Sequence, residues 1–227
     1  FPSLWLTVFF YYWLFLLLSL SFTSLPFNSY NEVSETIMGA CGRSVKVWNV
    51  HDGRLTQEFT MLMPTSITSM ILDGRQRKFI LGDSTGHLRC FNCLNGAHMR
   101  NILLQPHAKA VSALAYSSID RLLITSGWDR SVNVYQDTPP LDGENPYSLS
   151  RTLLRSIEDA HTSDITCLAM SRRLSLIATG DTSGWVKIWD LEFCQIDGIG
   201  LGHPTEVTCI NFIDPHPCML TGDADGN

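Results

Sequence analysis

His107, Thr125 and Asp129 place an imidazole, a hydroxyl and a carboxylate in one short stretch, the groups from which a nucleophile, a base and an orienting acid are assembled. Repetition removes that reading. His161 with Thr179, and His203 with Thr221, recur in register, and His107 and His161 each stand 28 residues before an aromatic anchor, Tyr135 and Trp189. A catalytic set occurs once in a chain, whereas residues that return at a fixed period answer a structural need. The sequence therefore predicts no catalytic residue, no cofactor and no enzymatic activity.

Three further motifs read in the same way. Asp83-Ser84-Thr85-Gly86 and Asp181-Thr182-Ser183-Gly184 bring glycine one place too late for the Asp-Thr-Gly loop of aspartic proteases. Asp223, Asp225 and Asn227 alternate like a calcium loop, but Gly226 comes too early for the sharp bend such a loop needs. Both are repeat turns, rich in residues that close turns. Cys90 and Cys93 form a lone C-x-x-C with no second ligand pair, and Cys90 falls where Val134 and Ile188 fall in other copies, so no metal site is expected.

The element that must position these residues is a hairpin, seen most clearly in RLLITSGWDRSVNVYQ, residues 121–136. Copies lie at 36–49, 78–92, 175–190 and 218–227. The anchors Trp48, Phe91 and Tyr135 are 43 and 44 residues apart, and Trp189 follows after 54 because a proline-bearing insertion, 137–150, intervenes. Short strands with no helical period fill each unit, which predicts an all-β region from Ile37 onward. In the second unit the expected strands are 67–72, 78–82, 87–92 and 99–104. The third should use 111–116, 121–126, 131–136 and 149–155, and the fourth 165–170, 176–180, 186–190 and 194–198.

Residues 4–22 carry no charge and are long enough to cross a bilayer as a helix. Three readings stand side by side: a signal anchor or transmembrane helix, a non-native leader, and a buried strand or helix. The absence of flanking basic residues weakens the first. Residues 1–30 are accordingly set apart as an apolar leader and 31–227 as the repeat region.

With these residues in view, the chain resembles the WD40 repeat family, β-propellers built from four-stranded blades of about 40 to 45 residues. The resemblance implies a partial propeller, truncated at both ends, with three complete blades and parts of two more. It also implies a hydrogen-bonded set in each blade: a histidine before the first strand, Ser or Thr on the second, Asp in the turn and Trp on the third. Here the set maps to His107, Thr125, Asp129 and Tyr135; to His161, Thr179 and Trp189; and to His203, Thr221 and Asp225. Ser183 and Thr85 stand where Asp is expected, so those blades should be tied less tightly, and Tyr135 offers a phenol in place of an indole. The wording of residues 73–190 is similar to a subset of large WD40 proteins of cilia and flagella.

Composition limits the partners. The net charge is −6, and the longest basic cluster, 75–78, is a short loop, which disfavours nucleic acid. Seven cysteines, of which Cys167 and Cys209 each follow a repeat histidine by six residues, fit a reducing compartment. The expected function is a cytoplasmic, ciliary or flagellar scaffold for other proteins, axonemal or cytoskeletal. Its binding rim would hold Lys109, Trp128, Asp164, Trp185 and Glu206 beside the histidines. The alternative is a membrane-anchored, ligand-binding or enzyme-associated propeller that uses residues 4–22 as its anchor, and a membrane location follows only in that case.

Overall fold

A computed structural model describes residues 27–101, 107–137, 153–192, 194, 196–199, 202–213 and 216–227. The leader's residues 4–22 and the body of the 137–150 insertion lie outside the described residues. Among the described residues no helix is long and apolar enough to cross a membrane.

The strands form antiparallel meanders. The first sheet is β1 (Phe27–Asn31), β2 (Thr36–Cys41), β3 (Ser44–Asn49) and β4 (Leu55–Phe59), in that order. The second is β5 (Ile67–Leu72), β6 (Lys78–Asp83), β7 (Leu88–Asn92) and β8 (His98–Asn101). The third is β9 (Val111–Ser117), β10 (Leu122–Gly127), β11 (Val132–Gln136) and β12 (Leu153–Ile157). The fourth is β13 (Ile165–Ser171), β14 (Leu176–Asp181), β15 (Val186–Asp190) and β16 (Ile196–Ile199), and β17 (Val207–Phe212) pairs with β18 (Met219–Asp223) in a fifth. The architecture is an all-β partial propeller.

Among the described residues four sheets carry all four strands, one more than the three complete blades expected. Phe27–Asn31, of which residues 27–30 belong to the apolar leader as divided in sequence and Asn31 opens the repeat region, pairs along its length with Thr36–Ala40 and completes the first sheet. An apolar run immediately upstream hid this strand, because period alone cannot separate a short strand from the end of a long hydrophobic stretch.

Alternation along the inner strands sends apolar side chains to both faces, and neighbouring sheets bury them between each other. Phe79, Leu81 and Phe91 of the second sheet pack with Met38, Val45 and Val47 of the first, and Phe79 stacks on Phe91 at 5.4 Å between ring centroids. Ile80, Leu88 and Cys90 face Val111, Leu123 and Tyr135 of the third sheet. Ile124, Val132 and Val134 then meet Ile165, Ile177 and Trp189 of the fourth, and Ala178 and Val186 meet Val207 and Ile210 of the fifth. The first strands β1, β5, β9, β13 and β17 lie side by side along the array. A meander places two kinds of connection at each end. The turns between second and third strands and the links between sheets share one end; the remaining two sets of turns share the other.

Candidate functional site

The imidazoles sit at the first of these ends, each in the link that precedes a sheet. In the fourth sheet His161 Nδ1 lies 2.9 Å from Asp181 Oδ2, and Nε2 lies 2.7 Å from Thr179 Oγ1. Trp189 Nε1–H donates to the same Thr179 oxygen at 2.9 Å. One proton order satisfies every group: indole N–H to Thr179, Thr179 O–H to Nε2, and Nδ1–H to the Asp181 carboxylate. Burial pushes the His161 imidazole below its usual pKa, against the opposing pull of Asp181, which is the direction this neutral-ring order requires.

In the third sheet His107 Nδ1 lies 3.0 Å from Asp129 Oδ1, and Nε2 lies 2.7 Å from Thr125 Oγ1. Asp129 also accepts from Ala108 N at 2.8 Å, Ser131 N at 3.1 Å and Ser131 Oγ at 2.7 Å. Burial would raise the Asp129 pKa, but His107, Ser131 and the Ala108 amide outweigh it and hold the carboxyl well below the usual range. The chain of bonds stops at Thr125. Tyr135 Oη is buried and makes no hydrogen bond of good geometry, so the phenol does not replace the indole; burial raises its pKa well above the usual phenol value, against the opposing pull of the nearby Thr125 and Asn133 side chains.

The carboxylate is not at one fixed sequence position. In the fourth and fifth sheets it comes two residues after the threonine, as Asp181 and Asp223, whereas in the third it comes four residues after, as Asp129. His203 Nδ1 is 3.2 Å from Asp223 Oδ2 and Nε2 is 2.8 Å from Thr221 Oγ1. Asp225, assigned to this set from sequence, is exposed, and its backbone N–H donates to Asp223 instead. The fourth sheet is likewise tied by Asp181, so Ser183 does not weaken it. At Gly127, the place equivalent to Asp181, a Cβ would lie 2.7 Å from both Asp129 Oδ1 and His107 Nδ1. Carboxylate from one position fills the room left by glycine at the other.

Asp181 and Asp223 do two tasks. One oxygen caps the following turn, Oδ1 of Asp181 accepting from Ser183 N and Trp185 N at 2.9 Å each. The other reaches the histidine. Asp83 of the second sheet keeps the first task, accepting from Thr85 N at 3.0 Å and His87 N at 2.8 Å. Its second oxygen is buried with no hydrogen bond, since Met63 and Leu81 occupy the places of histidine and threonine. The aspartates at 83, 181 and 223 are in mutual register, a signal present in the sequence but hidden by choosing the exceptional third unit as template.

The sets of the third and fourth sheets are closed to solvent at their hydroxyls. Thr125 and Thr179 have no exposed surface, and His107 and His161 are 2% and 1% exposed, so no substrate atom can reach the hydroxyls. Among the described residues no group of three His, Cys, Asp or Glu side chains could hold a metal ion. Burial pushes the Cys93 thiol up to about 12, which keeps it protonated.

The predicted rim residues lie at the same end but at its surface. Trp128 and Trp185 are each 48% exposed, in the turns of adjacent sheets and at different register positions. Lys109 and Asp164 form an ion pair at 3.6 Å that spans the third and fourth sheets. Glu206 is exposed, and its backbone carbonyl accepts from Ala224 N at 2.9 Å.

Residues 100–136 and 151–190 match the family described as "WD domain, G-beta repeat". The chain is 25% identical over 187 residues to the Cilia- and flagella-associated protein 337 B of Tetrahymena thermophila, covering 82% of this chain and 14% of that one. It is 23% identical over 190 residues to the Autophagy-related protein 16 of Arabidopsis thaliana, covering 84% of this chain and 35% of the relative. A guanine nucleotide-binding protein subunit beta-like protein of Encephalitozoon cuniculi is 30% identical over 94 residues, covering 41% and 26%. The chain thus spans well under two thirds of the length of each. The crystal structure of the computationally designed Ika8 protein superimposes with a TM-score of 0.63 at 23% identity, covering 84% of this chain and 53% of that one.

Proposed function

The chain carries the WD40 repeats of a β-propeller, and from that premise we propose that it is a non-catalytic scaffold for other proteins in a ciliary or axonemal assembly. The buried His–Asp–Thr sets hold sheet ends together, and the surface around them meets the partner. The exposure of Trp128 and Trp185 carries this reading. Repeat packing buries aromatic residues at one register position, whereas these two break register and remain half in water. Large aromatics of that kind anchor protein interfaces. Lys109, Asp164 and Glu206 supply a polar rim around them. The name of the Tetrahymena relative, a cilia- and flagella-associated protein, supports the ciliary setting.

The test is affinity capture from an axonemal extract with the chain immobilised, beside a Trp128→Ala/Trp185→Ala variant. A specific set of axonemal proteins should bind the first and be lost from the second. The reading fails if the double variant captures the same proteins, or if neither captures any.

A further inference from the structure

The turn between β13 and β14 is Arg172-Arg173-Leu174-Ser175, and it ends in a hydroxyl that two arginines precede by three and two residues. No other Ser or Thr in the sequence has basic residues at both places. Arg172, Arg173 and Ser175 are exposed, whereas Leu174 and Leu176 are half-buried. Among the described residues Arg173 forms no ion pair and Ser175 Oγ no hydrogen bond. This end of the sheets is of mixed charge, with Glu32, Glu35, Asp190 and Glu192 beside its arginines, so the selective feature is four consecutive residues and not a surface.

The turn is lightly held. Ser175 N donates to the Arg172 carbonyl at 3.2 Å, Leu174 N to Ser171 Oγ at 3.3 Å, and Leu191 N to the Ser175 carbonyl at 2.8 Å. Ser175 has a φ of 54°, a left-handed conformation that crowds its Cβ, so straightening the turn relieves strain as it gives up these bonds. The core begins at Ile177, which is fully buried and paired with Trp189, so residues 172–175 can open without unfolding the sheet.

The same serine lines a cavity of about 330 Å³ between the third and fourth sheets, together with Asp120, Arg155, Arg172 and Glu192. Cations and anions balance there. Arg172 is engaged by Asp120, Nε donating to Oδ2 at 2.9 Å and Nη2 to Oδ1 at 3.1 Å, and this fork ties the turn of the fourth sheet to that of the third. Arg172 and Ser175 are the two ends of one hydrogen-bonded turn, which sets a group added to the Ser175 oxygen within reach of the guanidinium.

We propose that Ser175 is a phosphorylation site for a protein kinase that selects arginine two and three residues before the acceptor, and that the phosphate draws Arg172 away from Asp120. Such a kinase places carboxylates opposite those two positions, where guanidinium groups meet them in charge-assisted hydrogen bonds. In the transfer Ser175 Oγ bonds to the γ-phosphorus of ATP as the bond from that phosphorus to the β–γ bridging oxygen breaks. ADP leaves with the electron pair, and the hydroxyl proton passes to a carboxylate of the kinase. The product carries a charge of about −2 at pH 7 and three acceptor oxygens. Asp120 and Glu192 repel it, so its place in the groove depends on Arg172, for which a dianion competes better than the single charge of Asp120. The site is separate from the tryptophan rim, so either can fail without the other.

The full chain is incubated with ATP and the catalytic subunit of cyclic-AMP-dependent protein kinase, and mass spectrometry locates and times the phosphate. Ser175 should be labelled in the folded chain, Ser175→Ala should remove that label, and Arg173→Gln should slow it about tenfold or more. Trp128→Ala should leave the rate unchanged. Circular dichroism melts establish that each variant is folded. In NMR spectra the Arg172 Nε–H resonance, identified by its loss in Arg172→Lys, should move on phosphorylation and titrate with the phosphate at about pH 6. The proposal is overturned if the label reaches Ser175 only after heat unfolding, if Arg173→Gln is labelled at the parent's rate, or if the Arg172 resonance does not respond to the phosphate.

Discussion

Thr179→Val tests the proton order within a blade. The change keeps the shape and removes one hydroxyl, which stands between Trp189 Nε1 at 2.9 Å and His161 Nε2 at 2.7 Å. Both partners are buried, and each stranded buried group costs about 1 to 2 kcal/mol, so the expected loss is about 2 to 4 kcal/mol. Thr125→Val is the internal control. Only His107 Nε2 loses its partner there, because Tyr135 Oη makes no hydrogen bond of good geometry, and Asn133 Nδ2 still faces Nε2 at 3.4 Å. Its expected loss is about 1 to 2 kcal/mol. Urea unfolding followed by tryptophan fluorescence reads both, and hydrogen exchange of the Trp189 indole reads opening of the fourth sheet alone, since repeat units open semi-independently. Equal losses in the two variants, or a Thr179→Val loss under about 0.5 kcal/mol, would falsify the bonding order.

Asp129→Ala should loosen the third sheet by about 1 to 3 kcal/mol, because it removes the acceptor shared by His107 Nδ1, the Ala108 amide and the Ser131 amide and leaves Nδ1 only Ser131 Oγ at 2.9 Å; an unchanged urea midpoint contradicts this. Acid should act on the fourth sheet before the third. His161 is depressed in the folded chain, so its neutral form supports folding above the unfolded value of about 6.5, and that support is lost as pH falls from there. Asp129 is also depressed, and its contribution holds until pH falls below about 4. Amide exchange followed from pH 7 to pH 3 should show protection falling in 161–190 first and in 107–136 later, and simultaneous loss would refute the assignment.

The repeat was legible without coordinates because strands of a propeller obey a period of two, and turns separate them at a constant interval. Ile67–Leu72 and Val186–Asp190 were read from sequence as they stand in the structure. Strand β1 was not, since its only mark is pairing with β2, a contact that alternation does not encode. The histidines and threonines were equally plain from register. The carboxylates were not, because His107 and His161 are met by side chains from different sequence positions that reach the same point in space.

Sequence alone thus determined the all-β repeat, the residues that face inward and the types of group that tie each blade. Tertiary structure decided which carboxylate meets which imidazole, and that Tyr135 does not replace an indole. The division has a physical cause. Periodicity is a local property of the chain, fixed by the geometry of one strand, whereas hydrogen-bond partners and surface charge are settled by distances between segments that only packing brings together.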